Sequence, residues 1–600
     1  MPKFRRGFIW SSSPQNNISP AALYTETAPP LPSPPAHLLN NPAMQASLRA
    51  MKDHVKVETS FNVDRFENLL ADHPNQPFVR SVMTGLREGF WPFHDGEYKA
   101  ELEMKGENFA TDPADLEAIR AYRDKEVGAA HWSGPLPQNE LLSGMKTSPM
   151  FVVWQKEKPR VITDHKSSGL NDGIPRAEAH VRYDDMHDFG QALHEARVAH
   201  PNRKIMLFKS DVQGAFLNLP AHPLWQLHQV VEVDGVLHIV RRLVFGNRAS
   251  PRCWCAVSGL LCWIAVRKLD LTCLYVYMDD FFGWDFVDNL IFYHGQRRPR
   301  RQVLLLIMWE FIGCPFEDRK QEHAVTLKII GFWVDATFGS ISLSPESVAD
   351  IIAKVEAFIT VEGRQHPLRE WQKLGGYLNW MLNVLPWARP ALTELYRKMK
   401  GKLHANANIF LNREVIQDLT WLSTVIRDAI GVRFVDAMTW RDDEADMIIW
   451  TDASLRTGLS FIYSNYGFAY QLRECPLSIK IDIFFLELVA ILSAVHHAAS
   501  LPHPPRRLLI WSDSLDSVSV LASLAASESI HNGVILAIAQ IILTSGIDLR
   551  VNHIAGKKNI RADLLSRFLF EDFRREFPSV RVRLFTPPRE LLPARWRECF

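Results

Sequence analysis

Short apolar runs rich in Val, Ile and Phe begin at Met150, and Phe151-Val152-Val153-Trp154, Arg160-Val161-Ile162 and Ile205-Met206-Leu207-Phe208 have the length and residue types of strands. A helical stretch, Ala256 to Leu269, interrupts them, so this part of the chain is predicted to be an α/β core. Ser344-Pro345-Glu346 is a helix start with a Ser cap and Pro in the first turn, and the pattern stays helical to about Lys402. A second α/β unit opens at Met447-Ile448-Ile449-Trp450 and runs to about Phe570. Upstream, Phe61, Phe66, Leu69 and Leu70 recur at helical spacing, and the stretch ends at a turn near Phe90-Trp91-Pro92. No internal repeat is found.

Composition adds boundaries to this pattern. Seven prolines fall between Pro14 and Pro35 among Ser, Asn and Thr, so residues 1–45 are expected to be a disordered Pro-rich arm. Residues 46–145 then form a helical N-terminal extension, and 571–600 a basic C-terminal tail. A chain of 600 residues with 47% hydrophobic content exceeds what one core needs, and roughly three to five compact units are expected. The net charge of +1 argues neither for nor against nucleic acid. Local clusters matter more: residues 556–600 hold eleven Lys/Arg against six Asp/Glu, and Arg297, Arg298, Arg300 and Arg301 form another cluster. Taken alone, each cluster equally fits a solvated face. Seven scattered cysteines imply free, mostly buried thiols in a reducing compartment. With no signal-peptide pattern and no apolar run of membrane-spanning length, the expectation is an intracellular protein, cytoplasmic or nuclear, with no membrane partner.

Candidate chemistry begins with carboxylates embedded in apolar sequence. Asp211 ends the strand Ile205 to Ser210, and Asp279-Asp280 sit where the runs Leu274 to Met278 and Phe281 to Trp284 would meet in a hairpin turn. Adjacent like charges in such surroundings are costly unless a cation neutralises them, and hard carboxylate oxygens suit Mg²⁺ or Mn²⁺. An exposed acidic turn is the alternative for Asp279-Asp280 alone. Tyr277-Met278-Asp279-Asp280 resembles the YxDD box of reverse transcriptases, and Asp211-Val212-Gln213-Gly214-Ala215-Phe216 resembles that family's first-aspartate box. Phe245-Gly246-Asn247-Arg248-Ala249-Ser250-Pro251 is similar to the segment under the incoming nucleotide, and Lys156 to Asp164 to the fingers hairpin. The resemblance implies two metal ions, held by Asp211, Asp279 and Asp280, and a nucleotide site formed by Lys158, Arg160, Phe216, Phe245, Gly246 and Lys320. Within it, Lys158 and Arg160 would hold the triphosphate, Phe216 would exclude the ribose 2′-hydroxyl, and Lys320 matches the region of a proton-donating lysine. Taken alone, Phe216 fits a core aromatic.

The second constellation has the same character. Trp450-Thr451-Asp452 and Ile510-Trp511-Ser512-Asp513 end strands, where α/β sheets place their sites. Glu487 lies in a helix from Phe484 to Ala498 among the apolar Ile483, Phe484, Ala490 and Ile491, which favours a metal or a buried partner over a solvated face. Asp563 opens a helix inside the string His553 to Arg567, which resembles retroelement RNases H. Asp452, Glu487, Asp513 and Asp563 would then hold two further ions, with His553 assisting proton traffic or product release. Ser514 stands where many relatives carry Asn.

The resemblance implies a multidomain α/β protein: a right-hand polymerase followed by an RNase H-like mixed-sheet domain. Fingers and palm would occupy residues 146–343, a thumb 344–410, a connection 411–445 and the nuclease 446–570. In residues 345–445, Trp371, Trp380, Trp387 and Trp421 are interleaved with Arg364, Arg369, Lys373, Arg389, Arg397 and Lys398, a pattern that fits duplex binding and a plain helical bundle equally well. The expected activity is RNA- and DNA-templated DNA synthesis with RNase H cleavage. Its cofactors would be Mg²⁺ or Mn²⁺, two ions per active site, and its partners template-primer, RNA–DNA hybrid and dNTPs. No protease box, Cys/His knuckle or integrase-like segment is found, which is similar to DIRS-like or gypsy-like retrotransposons of eukaryotes, the DIRS-like option slightly ahead. The rivals are a non-catalytic nucleic-acid-binding remnant and a protein with RNase H activity only.

Overall fold

The computed structural model describes residues 8–10, 18–97, 108, 112–155, 157–178, 180–434, 436–473, 481–592 and 594–600. Lys156 and parts of the Pro-rich arm lie outside them. Two compact units divide the chain, one of residues 15–330 and one of residues 1–14 together with 331–600.

In the first unit, β-branched and aromatic residues form a four-stranded antiparallel sheet in the order Glu322–Ala324, Ile205–Asp211, Asp280–Phe286, Leu274–Tyr277. Ile205, Leu207 and Phe208 are buried, as a central strand covered on both faces requires. The helix Ser250–Lys268 has Pro in its first turn, Arg267 and Lys268 in its last, and buried residues all round. Its Trp254 indole donates to the carbonyl of Met278 at 2.9 Å, tying the helix to the hairpin that carries Asp279.

Residues 18–45 of the arm depart from the disorder its composition predicts. Pro20–Thr25, Ala36–Leu39 and Pro42–Ala50 are helices, and Ala21, Ala22, Leu31, Leu38 and Met44 belong to the core built around Ser250–Lys268. Pro20 and Pro42 follow the caps Ser19 and Asn41, where a missing N–H costs nothing. The tertiary anchor is Asp184, fully buried, which accepts from the Ser19 hydroxyl (2.6 Å), Ala21 N–H (2.8 Å) and Val276 N–H (2.8 Å). Asp184→Ala strands buried donors and should cost about 3 kcal/mol in urea unfolding. Burial pushes the Asp184 carboxyl up to about 7, with hydrogen bonds opposing. The folded state therefore binds this proton more tightly than the unfolded chain, and the group's contribution falls as pH rises toward 7. The loss on substitution should be larger at pH 5 than at pH 8.

In the second unit, Ser344 caps the helix Pro345–Ile359 as predicted, its hydroxyl accepting from Ser347 N–H at 3.2 Å. Trp371 is fully buried and serves packing, Lys373 pairs with Glu370 at 3.0 Å on the surface, and Arg397 donates to the Ser527 carbonyl at 2.6 Å. A six-stranded mixed sheet follows, in the order Asp548–His553, Arg507–Ser512, Met447–Ala453, Gly458–Tyr463, Tyr466–Gln471, Arg581–Leu584. The first three strands are parallel, and Met447–Ala453, Gly458–Tyr463 and Tyr466–Gln471 form an antiparallel meander. Arg581–Leu584 adds in parallel to Tyr466–Gln471, and Trp596 and Phe600 are buried in the domain core. The segment expected as a basic tail is thus part of the fold, because its backbone pairs with a sheet edge distant in sequence.

The six described cysteines are free and buried. Among the described residues, no helix is long and apolar enough to cross a membrane.

Candidate active sites

The antiparallel register pairs Asp211 directly with Asp280, and Asp279 lies in the two-residue turn before it. Met278, the other turn residue, adopts φ 58°, which lets the hairpin close tightly. Burial and then Asp211's charge raise the Asp279 carboxyl, while Arg160 and Lys320 oppose. Burial pushes Asp280 up to about 6, with Lys209 opposing and Asp279, Asp211 and Glu322 adding to the rise. The ammonium of Lys320 is 3.3 Å from Asp211 and 3.1 Å from Glu317. These three aspartates are neighbours in space, yet their ligand atoms do not converge within 4.8 Å as those of the second site do. Asp280 stands on the strand opposite Asp211 whereas Asp279 stands in the turn, so the two adjacent carboxylates are carried by backbone of different conformation.

Lys158 and Arg160 lie exposed on the hairpin Met150–Gln155 and Lys158–Thr163, with Arg160 close enough to act on Asp279. Phe216 is 7% exposed and packs against Phe245 at a ring separation of 4.8 Å, whereas Phe245 is 49% exposed. Gly246 has φ 105°, and a Cβ there would lie 1.9 Å from the Thr163 carbonyl oxygen. Only glycine lets this segment approach the hairpin so closely, and Thr163 N–H donates to the Phe245 carbonyl at 3.2 Å. Gly246→Ala should therefore destabilise the first unit by about 3 kcal/mol, read in urea unfolding.

The second site is convergent. Asp452 stands in Met447–Ala453, Asp513 directly follows Arg507–Ser512, and Glu487 comes from the helix Ile483–Ala499, capped by Asp482. Their ligand oxygens all lie within 4.8 Å of one another. Burial, then the charges of Asp452 and Asp513, push Glu487 up to about 9. Asp452 is pushed to about 7 by burial, and Asp513 is raised by burial and by Asp563. One Glu487 oxygen accepts from Ala453 N–H at 3.2 Å, and the other, Oε2, is buried with no hydrogen-bond partner. Three hard oxygen donors, destabilised by burial and mutual repulsion, with an orphaned lone pair, fit a divalent cation.

Asp563, in the helix Ile560–Ser566, is held by Arg567 at 2.6 Å and stands outside the trio, though near enough to raise Asp452 and Asp513. His553 ends Asp548–His553, opposite Ser512 in the register and exposed. Three supporting residues were not singled out from sequence. The Ser566 hydroxyl donates to Asp452, the Asn559 amide donates to the Thr451 carbonyl at 2.9 Å, and Arg567 pairs with Asp563. All three fall inside the RNase H-like string, and that string is the signal that would have found them.

Fold and site together define a multidomain α/β protein: a four-stranded antiparallel sheet bearing Asp211 and Asp280, then a six-stranded mixed sheet bearing a convergent acidic trio. No family model matches the chain, and no curated protein matches it. Among solved structures it is similar to a foamy viral protease-reverse transcriptase dRH in complex with ds DNA, at 15% identity, 82% of this chain, 81% of that chain and TM-score 0.39. A foamy viral protease-reverse transcriptase in complex with RNA/DNA hybrid is similar at 15% identity, 82% of this chain, 62% of that chain and TM-score 0.39.

Proposed function

We propose that the chain is a template-directed DNA polymerase with RNase H activity, of the kind that serves retrotransposon replication. The observation that carries the reading is the trio Asp452, Glu487 and Asp513, with Glu487 Oε2 buried and unpartnered at the end of an RNase H-like sheet. The pairing of Asp211 with Asp280 beside Asp279 supports a second acidic centre on the palm-like sheet. Divalent ions, when bound, would supply charge neutralisation for in-line phosphoryl transfer at each centre. Asp211, Asp279 and Asp280 would hold them in the polymerase site, and Asp452, Glu487, Asp513 and Asp563 in the nuclease.

The remaining residues have separable tasks. Lys158 and Arg160 offer positive charge to a triphosphate, Phe245 and Gly246 form the floor beneath the nucleotide, and Lys320 carries a proton beside Asp211. His553, exposed at the end of its strand, handles protons or product at the nuclease.

Primer extension on an oligo(dT)-primed RNA with Mg²⁺, run with dNTPs and rNTPs in parallel, tests the reading. Incorporation of dNTPs and release of fragments from the hybrid are expected. Template binding without incorporation, by a folded sample, would favour a non-catalytic nucleic-acid-binding protein, and cleavage alone a nuclease. Phe216→Val should raise rNTP use relative to dNTP by roughly tenfold or more, because it removes the bulk facing the 2′ position. Efficient rNTP use by the wild type would reject this gate.

A further inference from the structure

The hairpin Leu290–Tyr293 and Gln296–Pro299 lies between the Asp279 strand and the helix Arg300–Ile312. Its sequence reads as part of a solvated basic cluster, yet Arg298 is 1% exposed. Burying a guanidinium is costly unless its donors are used. The Arg298 fork donates to the Gln321 carbonyl at 2.6 Å and the Asp318 carbonyl at 3.0 Å, bracketing the single turn Asp318–Lys320. His294, at the hairpin tip, holds the same turn from outside, 3.1 Å from the Asp318 carboxylate and 3.2 Å from Glu310. The turn presents Lys320 to Asp211 at 3.3 Å, and the next residue, Gln321, donates its amide to the Asp211 carbonyl at 3.1 Å. Behind the strand, the buried Gln302 amide donates to the Lys209 and Glu322 carbonyls at 3.1 and 3.2 Å, which closes the frame.

We propose that the hairpin Leu290–Pro299 is a clasp that positions Lys320 against Asp211, with Arg298 as the positioning residue, an inference that rests on the polymerase reading of that site. Two carbonyls at opposite ends of one turn need a planar fork with fixed spacing, which arginine has and lysine lacks. Both Arg298 hydrogen bonds go to backbone carbonyls that bracket the turn, so its effect reaches the chemistry through the turn. An ammonium misplaced by about 1 Å can cost up to about 10²-fold in rate.

Hybrid cleavage, on the other unit, checks that the full chain is intact, and an unchanged KM for dNTP checks the fold of this unit. Arg298→Ala should lower kcat for single-nucleotide incorporation by roughly tenfold to 10²-fold, leave KM for dNTP within about twofold and spare hybrid cleavage. Arg298→Lys should recover only part of the loss, and His294→Ala, at an exposed position, should show a smaller loss of the same kind. Unchanged kcat in Arg298→Ala, or a loss carried by KM instead, would overturn the clasp. A second readout does not need polymerase activity: acetylation of Lys320 by N-hydroxysuccinimidyl acetate, followed by mass spectrometry. It should run several-fold faster in Arg298→Ala and His294→Ala than in the wild type, as the ion pairs to Asp211 and Glu317 loosen. Equal acetylation rates in all three proteins would overturn the clasp. If the wild type incorporates no nucleotide, the polymerase reading fails, and the acetylation rates still decide the clasp. If Arg298→Ala does not fold, Arg298→Lys and His294→Ala decide it by the same two readouts.

Discussion

Asp513→Asn should leave primer extension intact and reduce cleavage of an RNA–DNA hybrid by about 10³-fold or more. The substitution keeps the shape of the side chain and removes one of three carboxylates whose oxygens lie within 4.8 Å of one another. In the wild type, burial first and the neighbouring acidic charges second raise the Glu487 and Asp452 carboxyls, and a divalent cation offsets both. Removing a charge weakens the hold on the cation while easing the repulsion without it, so the variant should be at least as stable as the wild type in metal-free buffer. A cleavage loss in a stable protein is then a loss of chemistry. Cleavage within tenfold of wild type would show that the trio is not the nuclease centre.

Asp279→Asn should do the reverse, reducing dNTP incorporation by about 10³-fold or more while hybrid cleavage stays near wild type. Asp279, half-buried in the hairpin turn, is raised by burial and by Asp211, and lies near Arg160 and Lys320. On the proposed reading, its carboxylate is where a metal and a triphosphate would meet. Template-primer binding should persist, because the basic side chains around it are untouched. Loss of both activities in either variant would contradict two independent sites.

Much of this arrangement could be read from residues alone. Strand-forming runs ending in Asp211, Asp452 and Asp513 match observed strands, and the turn at Asp279-Asp280 matches an observed hairpin. Glu487 stood out because a glutamate among helical apolar neighbours needs a partner, and it is buried beside two aspartates. What stayed hidden depends on partners far along the chain. The described part of the Pro-rich arm folds because Asp184 receives Ser19 and Ala21, a contact spanning 165 and 163 residues that composition does not register. Arg581–Leu584 folds because Tyr466–Gln471 offers it a sheet edge. Arg298 is buried although its four-arginine neighbourhood has the composition of a surface, since a periodicity argument does not see two carbonyls waiting at residues 318 and 321. Local pattern locates acids at strand ends, whereas only packing decides which of them converge.

Manganese anomalous scattering from crystals of the full chain grown with an RNA–DNA hybrid and Mn²⁺ tests the central claim most directly. The account predicts anomalous peaks at two separate places, one among Asp452, Glu487 and Asp513 and one between Asp211 and Asp279. Peaks at neither centre, with Mn²⁺ bound elsewhere in the same crystal, would contradict it.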